Sequence, residues 1–243
     1  MSIRISIITA TFNASKLIPN LINSLRAQSD NDFEWVIADG GSDDGTQEIL
    51  DLAACSLNIN LDSRPDFGIY DALNRAIRLS TGDYYLVLGA DDTLYPDAIS
   101  DFRKHAIASN ADIIAAKIMC DGKIVSMRRP WPWLHGAFAY VSSHAVGSLI
   151  RRSLHEKLGF YSAKYPIAAD QLFLLHAVKS GARVVSVNLI AGEFCSKGLS
   201  GTDILGVLSE GFRVQVKMGN NSFFQFLIFI LRVVKNWCKI KAG

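Results

Sequence analysis

Cysteine, net charge and long apolar runs are scarce in this chain, and each scarcity excludes a class of protein. The four cysteines stand singly, so none has the spacing of a zinc site, redox pair or disulfide framework, and we expect a reducing cytoplasm. The 25 Lys and Arg nearly balance 23 Asp and Glu, which leaves no global basic field for nucleic acid. The apolar run at 223–231 is too short to span a bilayer, which takes roughly 20 residues.

Two common phosphate-binding motifs are also missing. The first predicted strand leads into Thr-Ala-Thr-Phe-Asn and not G-x-G-x-x-G, and the chain has no G-K-[ST]. A dinucleotide-dependent oxidoreductase and a P-loop NTPase are therefore disfavoured. What the chain does have is a hydrophobic share of 49%, ample for a large buried core.

Apolar strands alternate with amphipathic helices over the first hundred residues, and this predicts an α/β fold. Its mostly parallel sheet should carry helices on both faces, with ligands beyond the carboxyl ends of the strands. From residue 100 the regularity weakens. The pattern predicts strands at 3–8, 33–38, 57–61, 84–88, 113–119 and 123–127, and helices at 70–79, 98–109, 152–158 and 171–180 among others.

Polar residues follow three of these strands, at 9–13, 39–45 and 89–92, so all three tips should meet at one edge of the sheet. Asp91 and Asp92 are hard oxygen ligands of the kind that Mg²⁺ or Mn²⁺ takes alongside phosphates. The alternative is a turn in which an Asp caps the helix that begins near Pro96. Asp39 stands beside two glycines, where it could meet a nucleobase or simply form an Asp-Gly turn.

Three further side chains each have two open interpretations. Arg64 could hold a phosphate or form a surface ion pair. Asp170 precedes an apolar helix, as an N-cap or as a general base aimed at the edge of the sheet. His144 is the histidine singled out, although a structural histidine explains it equally well.

As a set, the segments 6–13, 39–46, 68–74, 90–92 and 169–170 resemble the family 2 glycosyltransferases of the GT-A fold, in particular the small bacterial enzymes of exopolysaccharide and O-antigen assembly. The resemblance implies a Rossmann-like, mostly parallel central sheet flanked by helices and followed by a C-terminal amphipathic helix. It divides the chain into a transferase domain, 1–205, and a helical segment, 206–243. Within the domain, 1–99 would bind the nucleotide-sugar and 100–205 the acceptor.

The resemblance also implies residue roles, with a Mn²⁺ or Mg²⁺ cofactor and Asp170 as the catalytic base of an inverting reaction. Gly89 departs from the family, which often has the leading Asp of D-x-D there, and Ala169 stands where an additional acid is common. The implied nucleotide-sugar residues are Thr9, Thr11, Asn13, Asp39, Arg64, Asp66, Asp71, Ala90 and Asp91; the metal ligands are Asp91 and Asp92; and the acceptor or loop residues are His144, Lys197 and Ser200.

The function expected is transfer of one sugar from a nucleotide-sugar, a UDP-sugar by preference, to a lipid-linked or oligosaccharide acceptor in bacterial surface polysaccharide synthesis. The absence of Q-x-x-R-W argues against a processive synthase. Two alternatives stay open: a sugar-phosphate nucleotidyltransferase, and a membrane-bound scaffold whose chemistry has decayed.

The C-terminal segment is predicted to form an amphipathic helix. At about 100° per residue, its apolar face includes Phe226, Ile230 and Val234, and its polar face includes Gln225 and Arg232. Such a helix suits the interface of an anionic membrane at the inner face of the plasma membrane, with the Trp-rich 128–133 segment as a second contact. The alternative is packing on the core or in a homodimer.

Overall fold

The computed structural model describes residues 3–128, 131–194 and 203–242. The described strands form one sheet of nine, in the order β3-β2-β1-β4-β8-β6-β9-β5, with β7 paired to β6. The strands are β1 Ile5–Thr11, β2 Phe33–Asp39, β3 Ile59–Ser63, β4 Tyr84–Val87, β5 Thr93–Leu94, β6 Ile113–Cys120, β7 Lys123–Val125, β8 Ser148–Arg151 and β9 Val184–Phe194.

Helices cover both faces of the sheet, as predicted. They are α1 Ile18–Arg26, α2 Thr46–Ala53, α3 Ile69–Leu79, α4 Ala98–Ser109, α5 Pro132–His135 with a 3₁₀ turn Gly136–Ala139, α6 Leu154–Leu158, α7 Ala169–Lys179, α8 Ile204–Lys217, α9 Ser222–Lys235 and α10 Trp237–Ala242. Within the described ranges, none of the helices has the length and apolar character needed to cross a membrane.

The first four strands are parallel, and strand alternation gives the sheet two cores. Ile7 packs into the cluster that includes α1 and α4, whereas its neighbour Ile8 packs into the opposite cluster with α3 and α7. Beyond β4 the sheet becomes mixed, because β8 pairs antiparallel with both β4 and β6. The four parallel strands thus end at one edge, and the second half extends the same sheet.

The structure corrects two element boundaries. The strand predicted over 57–61 begins at Ile59, because the turn after α2 continues through Leu57, whose N–H donates to the Ala53 carbonyl at 3.1 Å. The helix predicted over 152–158 begins at Leu154, since Arg151 still belongs to β8 and the Arg152 N–H donates to Asp83. The helix predicted over 98–109 is confirmed as α4.

The C-terminal helix α9 packs in an unexpected sense. Gln225 is only 4% exposed and its amide donates to the Trp133 carbonyl at 2.7 Å, while Arg232 donates to the Leu134 carbonyl. Part of the apolar side also packs on the same chain, because the Phe226 and Phe229 rings lie 6.5 and 5.8 Å from the Phe212 ring of α8. Other apolar residues stand in solvent, with Leu231 69% and Val234 67% exposed. Both predicted orientations are therefore met in part.

Candidate functional site

The carboxyl ends of β1 to β4 bring the predicted site residues to one edge of the sheet. Thr11 and Asp39 are opposite one another in the β1–β2 register, and Asp39 pairs with Ser63 at the end of β3. The segment after β4 continues beside β1, because the Leu88 N–H donates to the Ile8 carbonyl at 2.9 Å. The predicted meeting of the three polar tips is thus found.

Asp39 is fully buried at this edge and organises the loop that follows it. Its carboxylate accepts hydrogen bonds from the Ser42 hydroxyl (2.5 Å), the Ser63 hydroxyl (2.7 Å) and the Thr11 hydroxyl (3.0 Å), and from the backbone N–H groups of Gly41 (3.0 Å) and Ser42 (2.9 Å). Burial alone would raise its pKa, but these donors outweigh burial and hold the pKa below its usual range. A nucleobase would have to replace one of the hydroxyl donors.

Asn13 and Asp44 join the first two loops to each other. Asn13 lies in the left-handed region (φ 49°), and its side-chain oxygen accepts from the Asp43 N–H at 3.1 Å. Asp44 accepts from the Ser15 N–H at 3.0 Å and from the Thr46 hydroxyl at 2.5 Å, and the Thr46 bond comes first among the causes that lower the Asp44 pKa. The loops that follow β1 and β2 therefore form one continuous surface, which we call the wall.

Thr9 does not face this wall. Its side chain is buried in the core, and its hydroxyl accepts from the Trp35 indole N–H at 2.9 Å. Thr9 and Thr11 share one face of β1, but Thr9 lies two residues before the strand end, opposite Ile37, where the sheet is still covered by the core. The neighbouring Phe12, which the sequence prediction passed over, is instead 66% exposed.

Arg75 is a second residue that the sequence prediction missed. It is largely buried on α3, and its guanidinium donates to the Asp39 carbonyl (3.1 Å), the Arg64 carbonyl (3.3 Å) and the Asp62 carboxylate (3.1 Å). Its Nη2 also lies 3.8 Å from the Asp66 carboxylate. Arg75 therefore ties the ends of β2 and β3 to the start of α3, and its Nε is a buried donor that has no hydrogen-bond partner among the described residues.

Arg64 and Asp66 lie in the loop between β3 and α3, and Asp71 lies in the first turn of α3. The exposed Arg64 forms an ion pair with Asp62 at 3.3 Å, which is the surface-pair interpretation and leaves the side chain open to solvent. Asp66 and Asp71 each accept a backbone N–H of this loop, from Gly68 at 2.9 Å and from Phe67 at 3.3 Å. A Cβ at Gly40 would lie 2.8 Å from the Asp66 carboxylate and 3.1 Å from the Phe12 ring, so a side chain at position 40 would push these two groups aside.

Asp91 and Asp92 differ in their surroundings. Asp92 is 1% exposed, and its carboxylate accepts from the Gly89 N–H at 2.7 Å, so it closes the turn. It does not cap the next helix, because α4 begins at Ala98 after Asp97. Asp91 and Ala90 are half-exposed at the strand end. A Cβ at Gly89 would lie 2.8 Å from the Asp91 carboxylate, so a side chain at position 89 would displace that carboxylate.

The described residues contain no cluster of three or more His, Cys, Asp or Glu side chains suited to a metal. Of the two carboxylates described in the turn after β4, Asp91 is the more accessible. Mg²⁺ and Mn²⁺ are often bound through one or two carboxylates, with phosphate oxygens and water completing the shell. One half-exposed hard oxygen donor fits that mode of binding, in which the substrate supplies the remaining ligands.

Asp170 lies in the first turn of α7, and the N-cap position belongs to Ala168. The N-cap interpretation of Asp170 is therefore wrong. Its carboxylate accepts the Tyr70 hydroxyl at 2.7 Å, a contact between residues 100 apart in sequence. Burial and then the charge of Asp170 raise the pKa of Tyr70 well above its usual range, so Tyr70 stays a donor.

The start of α7 is capped from α8. The buried Glu210 accepts the backbone N–H groups of Ile167 (3.0 Å) and Ala168 (2.8 Å), which no side chain of α7 itself satisfies. An anionic side chain at a helix N-terminus also interacts favourably with the helix dipole. Glu210, missed by the sequence prediction, therefore holds the turn that carries Asp170.

His144 lies beside Asp170 within a buried chain of hydrogen bonds. The His144 Nε2 lies 2.6 Å from the Tyr161 hydroxyl oxygen. The Tyr85 hydroxyl oxygen lies 2.8 Å from that of Tyr161 and 2.8 Å from Nε2 of His155. Because Nδ1 of His155 faces the Gly159 carbonyl and must donate, every hydroxyl in the chain donates toward His155. Burial lowers the pKa of His144, and lowers that of His155 to about 4.

Two predicted residues cannot be placed, because Lys197 and Ser200 lie outside the described residues. A separate cleft of about 620 Å³ is lined by residues of α7 and α8, including His176, Lys179 and Lys217. None of the predicted site residues lines this cleft.

Comparison with known proteins identifies the family of this chain. The family described as Glycosyl transferase family 2 matches residues 6–167, which is more than half of the chain and contains both the Asp39 loop and the Asp91 turn. The chain belongs to this family. The matched part of this family 2 glycosyltransferase ends three residues before Asp170.

Several relatives of this family 2 glycosyltransferase are named. It is 28% identical to the PGL/p-HBAD biosynthesis glycosyltransferase of Mycobacterium bovis, over 97% of this chain and 91% of that protein. It is 33% identical to the chondroitin synthase of Escherichia coli over 53% of this chain and 19% of that protein.

Solved structures confirm the GT-A fold. S. aureus TarS matches with a TM-score of 0.73 at 22% identity, over 95% of this chain and 43% of that one. The mannosyltransferase PcManGT of Pyrobaculum calidifontis, solved with GDP-Man and Mn²⁺, matches with a TM-score of 0.72 at 16% identity, over 98% of this chain and 76% of that one.

Proposed function

We propose that this protein transfers a single sugar, with inversion, from a nucleotide-sugar to a hydroxyl group of a lipid-linked or oligosaccharide acceptor. The observation that carries the proposal is the half-exposed Asp170 carboxylate, held by Tyr70 at 2.7 Å and oriented by the capped start of α7. A positioned carboxylate with one hydrogen bond from the described residues has oxygen lone pairs left to take a proton from a hydroxyl.

The donor would bind along the wall built around Asp39. Phe12 offers an exposed aromatic face beside the Asp39 loop, which suits the flat face of a nucleobase. Asp91 would hold the divalent cation, which when bound offsets the negative charge that develops on the leaving diphosphate. Relatives solved with UDP-GlcNAc and with GDP-Man support a nucleotide-sugar without choosing between the two nucleotides.

The chain's own residues would carry the proton. Asp170 takes it from the acceptor hydroxyl as the new bond to the anomeric carbon forms and the bond to phosphate breaks. Carboxylates are weak bases toward alcohols, so this transfer accompanies bond formation and does not precede it. Attack from the face opposite the leaving group gives inversion. Tyr70 keeps the carboxylate in place, because its hydroxyl remains protonated.

The test measures release of nucleoside diphosphate from a panel of UDP- and GDP-sugars with Mn²⁺. Asp170→Asn is expected to lower turnover by at least about a thousandfold and to keep the thermal shift that the donor induces. Asp51→Asn, an exposed carboxylate on α2, is the matched control. Near-normal turnover of Asp170→Asn would refute the base assignment, and release of diphosphate from a nucleoside triphosphate would indicate a nucleotidyltransferase instead.

A further inference from the structure

The exposed side of α9 and the Trp-rich segment at α5 form one surface, although about 90 residues separate them in sequence. Gln225 and Arg232, on the inner side of α9, bond to the backbone carbonyls of Trp133 and Leu134. The Trp131 and Trp133 side chains are themselves exposed. We define the C-terminal apolar surface as these two tryptophans with Phe223, Phe226, Leu227, Ile230, Leu231 and Val234 of α9, all exposed.

In the two sequence segments that form this surface, the charged side chains are all positive. The sequence contains no Asp or Glu from 122 to 155 or from 211 to 243. In the described part of the chain, Arg128, Arg232 and Lys235 take part in no ion pair. Burial and the charge of Arg128 lower the pKa of Arg232, which places two guanidinium groups close together without a carboxylate. An anionic group would relieve that repulsion.

We propose that the C-terminal apolar surface binds the face of an anionic phospholipid bilayer. Aromatic and branched side chains would enter the boundary between headgroups and acyl chains, and the exposed Arg128 and Lys235 would meet lipid phosphates. α9 is 14 residues long and would lie along the bilayer without crossing it. The two sources of attraction, apolar insertion and charge, are the ones that hold interfacial helices at membranes.

The surface is joined to the proposed active site through α8. Gln215 of α8 donates to the Pro132 carbonyl at 3.0 Å, and Glu210 of the same helix caps the start of α7. The helix that holds the Asp170 turn therefore also holds the Trp segment. That the same bilayer presents a lipid-linked acceptor rests on the proposed function, whereas binding to the bilayer does not.

The test is sedimentation of the full chain with phosphatidylcholine vesicles, with and without phosphatidylglycerol, at low and high salt, in the absence of donor. Leu231→Asp with Val234→Asp is expected to weaken binding by at least about tenfold. The matched control is Leu52→Asp with Ile107→Asp, equally exposed apolar residues on α2 and α4. Arg128→Gln with Lys235→Gln should remove the preference for phosphatidylglycerol and its dependence on salt.

Vesicle binding that is unchanged in the Leu231/Val234 variant, or equal with and without anionic lipid, would overturn the proposal. The proposal would also be overturned if the wild type did not bind vesicles but formed a dimer that the Leu231/Val234 variant dissociates. The surface would then be an interface between two copies of the chain. Circular dichroism checks that each variant folds. Asp170→Asn must bind vesicles like the wild type, so failure of the catalytic proposal leaves this one standing.

Discussion

The carboxylates of Asp39, in the parallel half of the sheet, and of Asp170, beside its second half, have opposite surroundings. In the parallel half, Asp39 is saturated by five close donors and Asp44 is bonded on both sides of its loop, so these carboxylates build structure. In the second half, Asp170 stays half-exposed with one hydroxyl donor, and the capping work at its helix is done by Glu210. A site needs both kinds, because a reactive carboxylate is useful only where others have fixed the backbone.

Among the substitutions that test this comparison, the largest effect on stability is expected at Asp39. Asp39→Asn keeps the shape but turns one acceptor oxygen into a donor, which leaves buried N–H and hydroxyl groups unpaired. We expect the free energy of unfolding to fall by roughly 4 kcal/mol, measured by urea denaturation. Asp43→Asn, an exposed carboxylate in the same loop, should change it little. Equal stability of the two variants would show that Asp39 is not structural.

The next effect concerns the buried histidines of the second half. Because the folded pKa of His155 is about 4, below its unfolded value, its contribution to stability is complete above about pH 6.5 and is lost as pH falls toward 4. Over that window the loss should reach about 3 kcal/mol. His155→Asn should flatten the pH profile of unfolding, whereas the exposed His176→Asn should not. Parallel profiles in all three proteins would contradict the assignment.

A smaller effect is expected at Tyr70, which we describe as a positioning residue. Tyr70→Phe removes the 2.7 Å donor to Asp170 and should lower kcat by about tenfold. The thermal shift induced by the donor should stay unchanged, because the Tyr70 hydroxyl contacts Asp170 and not the Asp39 loop. A lower kcat accompanied by loss of that thermal shift would mean that Tyr70 only supports the fold.

The smallest effect is expected at Glu210. Glu210→Ala leaves two backbone N–H groups at the start of α7 unpaired and should destabilise the protein by about 1 kcal/mol, with Gln intermediate. Glu156→Ala, at a largely exposed acid on α6, is the control. If alanine at 210 lowers turnover no more than alanine at 156, the cap does not position Asp170.

The sequence predicted the parallel half better than the second half, for a physical reason. Strand tips such as Asp39 and Asp91 follow from a local pattern, because parallel strands must end at one edge. Tyr70 and Glu210 could not be found this way, since their partners lie 100 and 42 residues away and are set by packing. Thr9 is buried against Trp35 because it lies two residues before the end of β1, and the motif does not say where the strand leaves the core.

The same limit applies to α9. Helical periodicity correctly separated its apolar and polar sides, but periodicity does not say which side faces the protein. Gln225 and Arg232 settle that point through carbonyl groups of a segment more than 90 residues earlier.

This inverted packing has a practical consequence. A helix that hides its apolar side must first detach before it can enter lipid, whereas α9 already displays that side and needs no rearrangement. Attachment and release would then track lipid composition and ionic strength alone. Away from lipid the same display favours self-association, so we expect purified protein to stay dispersed best in mild detergent.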